Sequence, residues 1–263
     1  MKLPPIVFCL ILFLTSISEG SLASCDLRKA QLLLADKAYE GVIQSVEALV
    51  PPGPWAYYKF QVKTDDGTLS LYSDEKNFGN FFHVDGEKKL FLVSQHATPQ
   101  GVMPILLRFP VLGVLRPSDI SNIDEEIEDA RVEAFVFLKN ATKCSARYIS
   151  TLGMLSGVHQ QRAVDELYAK RPLASEELAC LIDAISSKKR IVRSSFEPPY
   201  VSKERIFHHG LPTLGDLVAE LLPHLANVEI HPTHSPMRDE DRKKLSEAWA
   251  CWGNYRFGER PQR

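Results

Sequence analysis

The hydrophobic pattern of the chain changes its period once, near Pro117, and this change limits the folds that the chain can adopt. Before Pro117, apolar and polar residues alternate, as they do over residues 58–62. A period of two is typical of β-strands with one buried face. After Pro117, apolar residues recur every three or four positions, which is typical of amphipathic helices. We therefore predict an α+β protein with a β-barrel over residues 25–117 and an α-helical region over residues 118–263.

Turn-forming residues divide the first part into five or six strands. Pro and Gly fill residues 51–54, Asp65 to Gly67 have the composition of a tight turn, and Asp85 precedes Gly86. These residue types are typical of hairpin turns and loops. We expect Val42 and Val46 to face the core of the barrel from the first strand, because they alternate with polar neighbours.

The second part contains five apolar stripes at helical spacing. The fourth begins after Thr213 and Asp216, which resemble a capping box. The fifth is expected to begin near Ser235 and Pro236. The stripes consist of Ile123, Ile127, Ala130, Ala134 and Leu138; Ile149, Leu152, Leu155, His159, Ala163 and Leu167; Leu178, Leu181, Ile182 and Ile185; Leu217, Val218, Leu221 and Leu222; and Leu245, Ala248, Trp249 and Trp252.

Residues 1–23 have the organisation of a secretory signal peptide. Lys2 supplies a positive charge, residues 6–14 form an apolar run, and residues 16–23 are small or polar. The apolar run is much shorter than the roughly 20 residues that a transmembrane helix needs. We therefore expect the protein to be exported and either secreted or periplasmic.

Two cleavage chemistries remain open for this signal. Ser21 and Ala23 are small residues at the positions that signal peptidase recognises, so cleavage after Ala23 gives a soluble protein that begins at Ser24. Alternatively, residues 22–25 resemble a bacterial lipobox, in which Cys25 is acylated and becomes the first residue. In that case the lipid on Cys25 anchors the protein to the membrane.

Four cysteines follow the predicted signal, and they are even in number and widely spaced. They are Cys25, Cys144, Cys180 and Cys251. Exported proteins reside where disulfides persist, so two disulfides are predicted, with three possible connectivities. The alternative is that the thiols are buried and unpaired. No Cys-x-x-Cys pair occurs, which argues against a zinc knuckle or a redox dithiol.

The charge balance and the motifs of the chain exclude several function classes. The net charge is −2, without the basic excess that phosphate neutralisation requires, so we expect no nucleic-acid binding. Neither a Gly-x-Gly-x-x-Gly sequence nor a Walker loop is present. We therefore predict no cofactor and assign no catalytic residue.

Histidines are the most reactive candidates in the second part. The possible metal ligands are His208, His209, His231 and His234, with Asp239 or Glu240 as a carboxylate ligand. Pro232 prevents the helical spacing that would direct His231 and His234 to one metal ion. We expect exposed loop histidines, and keep a metal-dependent hydrolase as an alternative function.

Aromatic residues and a long loop supply the candidate binding surface. Trp55 and Tyr57 lie at the start of a predicted strand, where they either form a ligand platform or pack the barrel. His208 and His209 lie in the loop over residues 188–211, and long loops of this kind are often functional.

Two resemblances to known families can be stated. Cys25 and the segments 35–46 (ADKAYEGVIQSV), 58–62 (YKFQV) and 84–92 (VDGEKKLFL) resemble the netrin-module and tissue-inhibitor-of-metalloproteinase group. This resemblance implies an OB-like barrel. It also implies a protease inhibitor whose free amino-terminal cysteine, here Cys25, enters the zinc site of the protease.

The second resemblance is to HEAT-like helical units of bacterial exported proteins. Residues 178–185, 213–225 and 247–252 carry it, and it implies protein interaction. Taken together, the sequence predicts a non-catalytic interaction protein of the cell envelope or extracellular space, with protease inhibition and metal-dependent hydrolysis as alternatives. The partner and the oligomeric state stay open.

Overall fold

A computed structural model of the chain shows an α+β fold in which a ring of strands packs against a group of helices. The structure describes residues 25–49, 56–73, 84–98, 101–107, 114–115, 122–140, 152, 157–191, 195–196, 206–207, 213–233 and 237–258. The predicted signal over residues 1–23 lies outside these ranges, as do Trp55, Cys144, His208, His209 and His234. Among the described helices, none is long and apolar enough to cross a membrane.

Five strands close into a ring, and a sixth short strand is added to one of them. The strands are β1 (Lys37–Ala48), β2 (Tyr58–Thr64), β3 (Gly67–Ser73), β4 (Lys88–Thr98), β5 (Gly101–Leu106) and β6 (Val114–Leu115). Neighbours follow the order β1-β2-β3-β5-β4, and β4 pairs again with β1. The pairing of β3 with β5 is parallel, whereas the other pairings are antiparallel. A further pair, β7 (Ser195–Phe196) and β8 (Ile206–Phe207), lies between helices in the chain.

The ring encloses its own apolar core. Its buried members are Ile43, Phe60, Val62, Leu71, Phe91, Val93 and Leu106. The prediction that Val42 faces this core is wrong, because Ile43 is buried instead and Val42 is half-buried. The pairing of β1 with β2 shifts between Ile43 and Ser45. A bulge of this kind moves the following residues to the other face, so Val46 packs against the core as predicted.

Six helices account for most of the remaining described residues. They are α1 (Leu27–Leu32), α2 (Ile123–Asn140), α3 (Gly157–Ala169), α4 (Ser175–Ile185), α5 (Leu214–Ala226) and α6 (Asp239–Phe257). The third and fourth predicted stripes are confirmed, since their apolar residues are buried in α4 and α5. Thr213 and Asp216 form the predicted capping box. Helix α6 begins at Asp239, later than predicted, and it buries Leu245, Ala248 and Trp249.

Two stripes differ from the prediction in single described positions, and Ile149 and Leu155 of the second stripe lie outside the described residues. On α2, Ala130 and Ala134 are buried as expected, but Phe137 takes the buried position predicted for Leu138. On α3, His159 is exposed and Gln160 is buried. Because an α-helix has 3.6 residues per turn, two successive positions share the edge of a stripe, and periodicity alone does not decide which of them is buried.

The helices and the outer face of β4 share a second apolar core, which is separate from the core inside the ring. Leu90 and Leu92 on β4 point away from the ring interior and join the helical core, whereas Phe91 and Val93 point into the ring. Helix α1 also contributes Leu32 to the helical core. The boundary predicted near residue 117 therefore lies between two parts of the chain that pack against each other.

A disulfide and a carboxylate tie the start of the described chain to its end. Cys25 is bonded to Cys251 on α6, with Cα atoms 5.5 Å apart, so one predicted disulfide is present. The backbone N–H of Cys25 donates to Glu133 Oε2 at 2.8 Å, and Asn254 Nδ2 donates to the same oxygen at 3.3 Å. Cys180 is also disulfide-bonded.

Candidate ligand groove between the ring and helix α2

A groove opens where the ring meets the helices, and three distant segments of the chain line it. It lies beside the end of α1, the first residues of β1, the start of β4 and the first turns of α2, and its volume is about 680 Å³. This volume lies within the range of roughly 300–1,000 Å³ that is usual for ligand sites. The groove is therefore large enough to receive a small molecule or side chains of a partner.

Apolar side chains form the floor of the groove. Leu32, Leu90 and Leu92 are buried and form part of the shared core. The other apolar lining residues are Ala35, Ala38, Ile123 and Ile127. Since β4 places Leu90 and Leu92 on its outer face and Phe91 on its inner face, one strand supplies both the groove and the ring core.

Polar residues of both charges surround this apolar floor. Lys37, Glu40, Asn122 and Asp124 are exposed lining residues, and Asp36 is a half-buried one. A ligand with an apolar body and polar ends could therefore bury the body and keep the ends in contact with charged groups. The groove thus combines apolar and polar contacts, with five polar or charged residues among the twelve that line it.

Asp36 connects the groove to the last helix. Its Oδ2 accepts the backbone N–H of Gln95 at 2.6 Å and the hydroxyl of Ser94 at 3.3 Å, and its Oδ1 accepts Lys244 Nζ on α6. Burial opposes ionisation of Asp36, but the hydrogen bond from Gln95 and the ammonium of Lys244 outweigh it and lower its pKa. The carboxylate is therefore held as an anion between β4 and α6.

Glu40 is also held in an ion pair. Lys88 Nζ lies 3.1 Å from Glu40 Oε1 and 3.7 Å from Asp65 Oδ2. The hydrogen bond to Glu40 is the main reason that the pKa of Lys88 is raised. The groove carboxylates of Asp36, just before β1, and Glu40, on β1, thus each have a cationic partner within the protein.

A second surface feature lies on the outer side of α2. Val132, Phe135, Val136 and Leu138 are 61%, 66%, 40% and 39% exposed, and we call these four residues the α2 apolar face. The opposite side of the same helix is buried through Ala130, Ala134 and Phe137. Helix α2 therefore presents apolar side chains both to the core and to solvent.

Of the predicted binding residues, Tyr57 is the one that the structure describes. Its side chain is 37% exposed, and its backbone pairs with Ser73 and Leu49. It is not among the described residues that line the groove. Trp55, His208 and His209 lie outside the described residues, so the predicted binding surface stays a prediction.

The candidate metal ligands in the described ranges have other partners. His231 Nε2 lies 2.6 Å from Glu229 Oε2, Lys188 Nζ pairs with Asp239 at 2.8 Å, and Lys244 Nζ lies 3.7 Å from Glu240. The ion pair with Lys188 lowers the pKa of Asp239. Over the ranges given above, no group of three or more His, Cys, Asp or Glu side chains is placed to hold a metal ion.

Cys25 is fully buried in its disulfide with Cys251. Inhibition through an amino-terminal cysteine requires that residue to reach the zinc ion of a protease, and the N–H of Cys25 instead donates to Glu133. A sulfur atom in a disulfide also cannot carry a thioether-linked lipid. Neither alternative role of Cys25 gains a favourable observation from its surroundings.

Sequence reasoning missed the groove, although one signal for it was present. Leu90 to Val93 form a continuous apolar run, and such runs indicate a strand that is covered on both faces. The run indicates that another part of the protein packs against the outer face of this strand, but it does not identify that part.

Comparison with known proteins finds no matching family model and no similar curated protein. The groove and the α2 apolar face are therefore interpreted from their own geometry.

Proposed function

We propose that this protein is an exported, non-catalytic binding protein whose groove between the ring and α2 receives apolar side chains of a protein partner. The observation that carries the proposal is the groove itself, with an apolar floor at Leu90 and Leu92 and a polar rim at Lys37 and Asp124. Burial of apolar surface supplies the affinity, and the rim supplies orientation.

The disulfides support export. Cys25 and Cys251 are bonded, and Cys180 is disulfide-bonded as well. Structural disulfides persist in secreted and periplasmic proteins and are rare in the cytosol. We propose that the mature protein is the soluble form that begins at Ser24, because the sulfur of Cys25 is already used in a disulfide.

The charged groups of the groove support binding rather than chemistry. A catalytic acid or base needs a pKa near the working pH. The pKa of Asp36 is lowered, so this carboxylate is held as an anion, and Glu40 forms an ion pair with Lys88. An anionic carboxylate with a lowered pKa can orient a ligand but is a poor proton donor.

We also propose that the ring is an OB-type barrel. The support is a closed cycle of five strands with one parallel pairing, between β3 and β5, together with the resemblance of residues 35–46, 58–62 and 84–92 to the netrin-module group. A crystal structure in which the five strands form a continuous hydrogen-bonded barrel around Phe60 and Phe91 tests this assignment. A sheet that opens between β3 and β5 contradicts it.

Site-specific photocross-linking in the producing cell tests the groove. A benzophenone amino acid is placed at Asp124 on the groove rim and, as a matched control, at Val158, which is 78% exposed on α3. We expect a discrete cross-linked protein adduct from position 124 and none from position 158. The variant Ala38→Phe fills the groove, so it should remove the adduct while the chain stays folded.

Two cross-linking results would contradict the proposal. Equal adducts from both positions, or an adduct at position 124 that persists in Ala38→Phe, would show that the groove does not hold the partner. Thermal unfolding of Ala38→Phe is measured in parallel, because an overpacked variant can lose about 1–3 kcal/mol of stability. If that variant is unfolded, Ala35→Leu serves as the smaller filling substitution.

A further inference from the structure

Helix α2 carries the exposed α2 apolar face, and its charged residues are distributed unequally between its two ends. The helix spans residues 123–140, which corresponds to about 27 Å at 1.5 Å per residue. Its first turn contains Asp124, Glu125 and Glu126, and its last turn contains Lys139. The exposed side therefore runs from acidic residues at one end, through the α2 apolar face, to a basic residue at the other end.

Helical spacing places most of the α2 apolar face and several charged residues on the same side of α2. At 100° per residue, Val132, Phe135 and Val136 lie within one third of the circumference, and Leu138 extends this surface beyond Phe135. Asp129 and Lys139 are exposed and fall on the same side as Val132. Glu125 and Glu128 are also exposed on this side. The apolar surface thus has three carboxylates before it and one ammonium after it.

Two α2 helices that run in opposite directions bring the acidic end of one beside the basic end of the other. In an antiparallel pair with a two-fold axis at the level of residue 134, Val132 lies opposite Val136 of the second copy. The same register places Asp129 opposite Lys139 of the second copy, and symmetry repeats this ion pair on the other side of the axis. A parallel pair would instead place like charges together, which is unfavourable.

We propose that the α2 apolar face binds a second copy of this chain, so that two α2 helices pack antiparallel across a two-fold axis. The interface is isologous, because the same face is used by both copies. The contact between two helices of this length is smaller than the roughly 800 Å² per partner of a standard interface. The dimer is therefore weak and dissociates on dilution.

Sedimentation velocity of the mature protein from about 1 to about 500 μM tests the dimer, since small interfaces give weak association. We expect a monomer at the lowest concentration and a dimer at the highest. Phe135→Asp places a charge at the centre of the face and should keep the protein monomeric throughout. Val158→Asp changes a more exposed apolar residue on α3 and should leave the dimer intact.

A charge exchange tests the register. Lys139→Glu or Asp129→Lys alone brings like charges together at two symmetric positions and should weaken dimerisation by about threefold to tenfold. The double variant Asp129→Lys with Lys139→Glu restores opposite charges and should return to within about twofold of the original protein. Residues 129 and 139 lie about 15 Å apart along one helix, so rescue reports contact between copies.

Three results would overturn the inference. A monomer at every concentration removes the dimer. A dimer that survives Phe135→Asp places the interface elsewhere. Additive weakening in the double variant contradicts the antiparallel register. Circular dichroism of each variant confirms that α2 is intact, and failure of the groove cross-linking leaves all three results unchanged.

Discussion

The side chain of Arg242 on α6 connects three helices, because it bonds to the end of α4 and to the start of α5. Its guanidinium donates to the carbonyl of Ile185 at the end of α4 at 2.8 Å, and to Asp216 Oδ1 at 2.7 Å and Thr213 Oγ1 at 3.0 Å at the start of α5. Gly215 is required there, because an added Cβ would lie 2.0 Å from the Arg242 guanidinium. The start of α5 and the buried guanidinium of Arg242 therefore depend on each other.

Replacing Arg242 should destabilise the fold strongly. Arg242→Ala leaves the carboxylate of Asp216 buried without its cation, and such a change costs about 3–5 kcal/mol. Arg162→Ala is the matched control, because Arg162 forms an exposed ion pair with Glu166 at 3.4 Å, and exposed pairs contribute about 0–1 kcal/mol. Urea unfolding compares the two, and equal losses would contradict the role of Arg242.

Tyr168 makes the fold sensitive to alkaline pH. Burial raises its pKa from 10.0 to about 12, although Arg171 opposes this. The unfolded chain ionises first, so stability is fully present below pH 10 and is lost as pH rises towards 12. The hydroxyl is buried without a hydrogen-bond partner in the described part of the protein.

We expect Tyr168→Phe to be as stable as the original protein at neutral pH, because it removes an unsatisfied polar group. The variant should also lose less stability than the original protein between pH 10 and 12. Urea unfolding at a series of pH values in this interval measures the difference. Identical alkaline profiles for the two proteins would show that Tyr168 does not contribute.

At the scale of elements, β1 decides whether the strands close into a ring. Val42 pairs with Lys88 on β4 and with Lys63 on β2, so β1 changes partners at this point. Gly41 precedes it, and an added Cβ would lie 2.6 Å from both Lys63 O and Val62 Cγ1. The close approach of the strands here depends on the missing side chain.

Gly41→Ala should therefore weaken the ring. The clash involves backbone that cannot move freely, and we expect a loss of about 1–3 kcal/mol. Ser45→Ala changes an exposed residue of the same strand and should alter stability by less than about 0.5 kcal/mol. Thermal unfolding of both variants measures the contrast, and a Gly41→Ala protein as stable as Ser45→Ala would contradict the account.

The elements were predictable to different degrees, for physical reasons. Helices α4 and α5 follow from apolar residues close together in sequence, and the capping box at Thr213 is also a local signal. Helix α1 was missed, because it has six residues and depends on Asp26, which accepts the N–H of Lys29, and on packing against the shared core. Short helices are not stable alone.

The groove was not predictable, because it is built from contacts between distant segments. Asp36 meets Lys244 across 208 positions of the chain, and the groove walls come from residues near 36, 90 and 123. The sequence contains each of these segments but no local pattern that brings them together.

The cysteines were more informative, since their even number and spacing predicted bridges, although not the pairing of Cys25 with Cys251.

At the scale of the whole molecule, the Cys25–Cys251 disulfide closes nearly the entire described chain into one loop. The two cysteines are 226 positions apart. In the chain-entropy model, closing a loop of this length raises the free energy of the unfolded chain by about 5 kcal/mol at 25 °C. The bridge also keeps the first described residues beside α2 and α6. The bridge therefore contributes both to the stability of the fold and to the geometry beside the groove.

The most direct test of this account is the intact mass of the protein recovered outside the cytoplasm, measured before and after reduction and alkylation. We expect a mature chain that begins at Ser24 and takes up alkyl groups on its four cysteines only after reduction, with a peptide map that links Cys25 to Cys251. A lipid mass on Cys25 would contradict the soluble form that begins at Ser24, and cysteines that are alkylated without reduction would contradict the disulfide-closed chain.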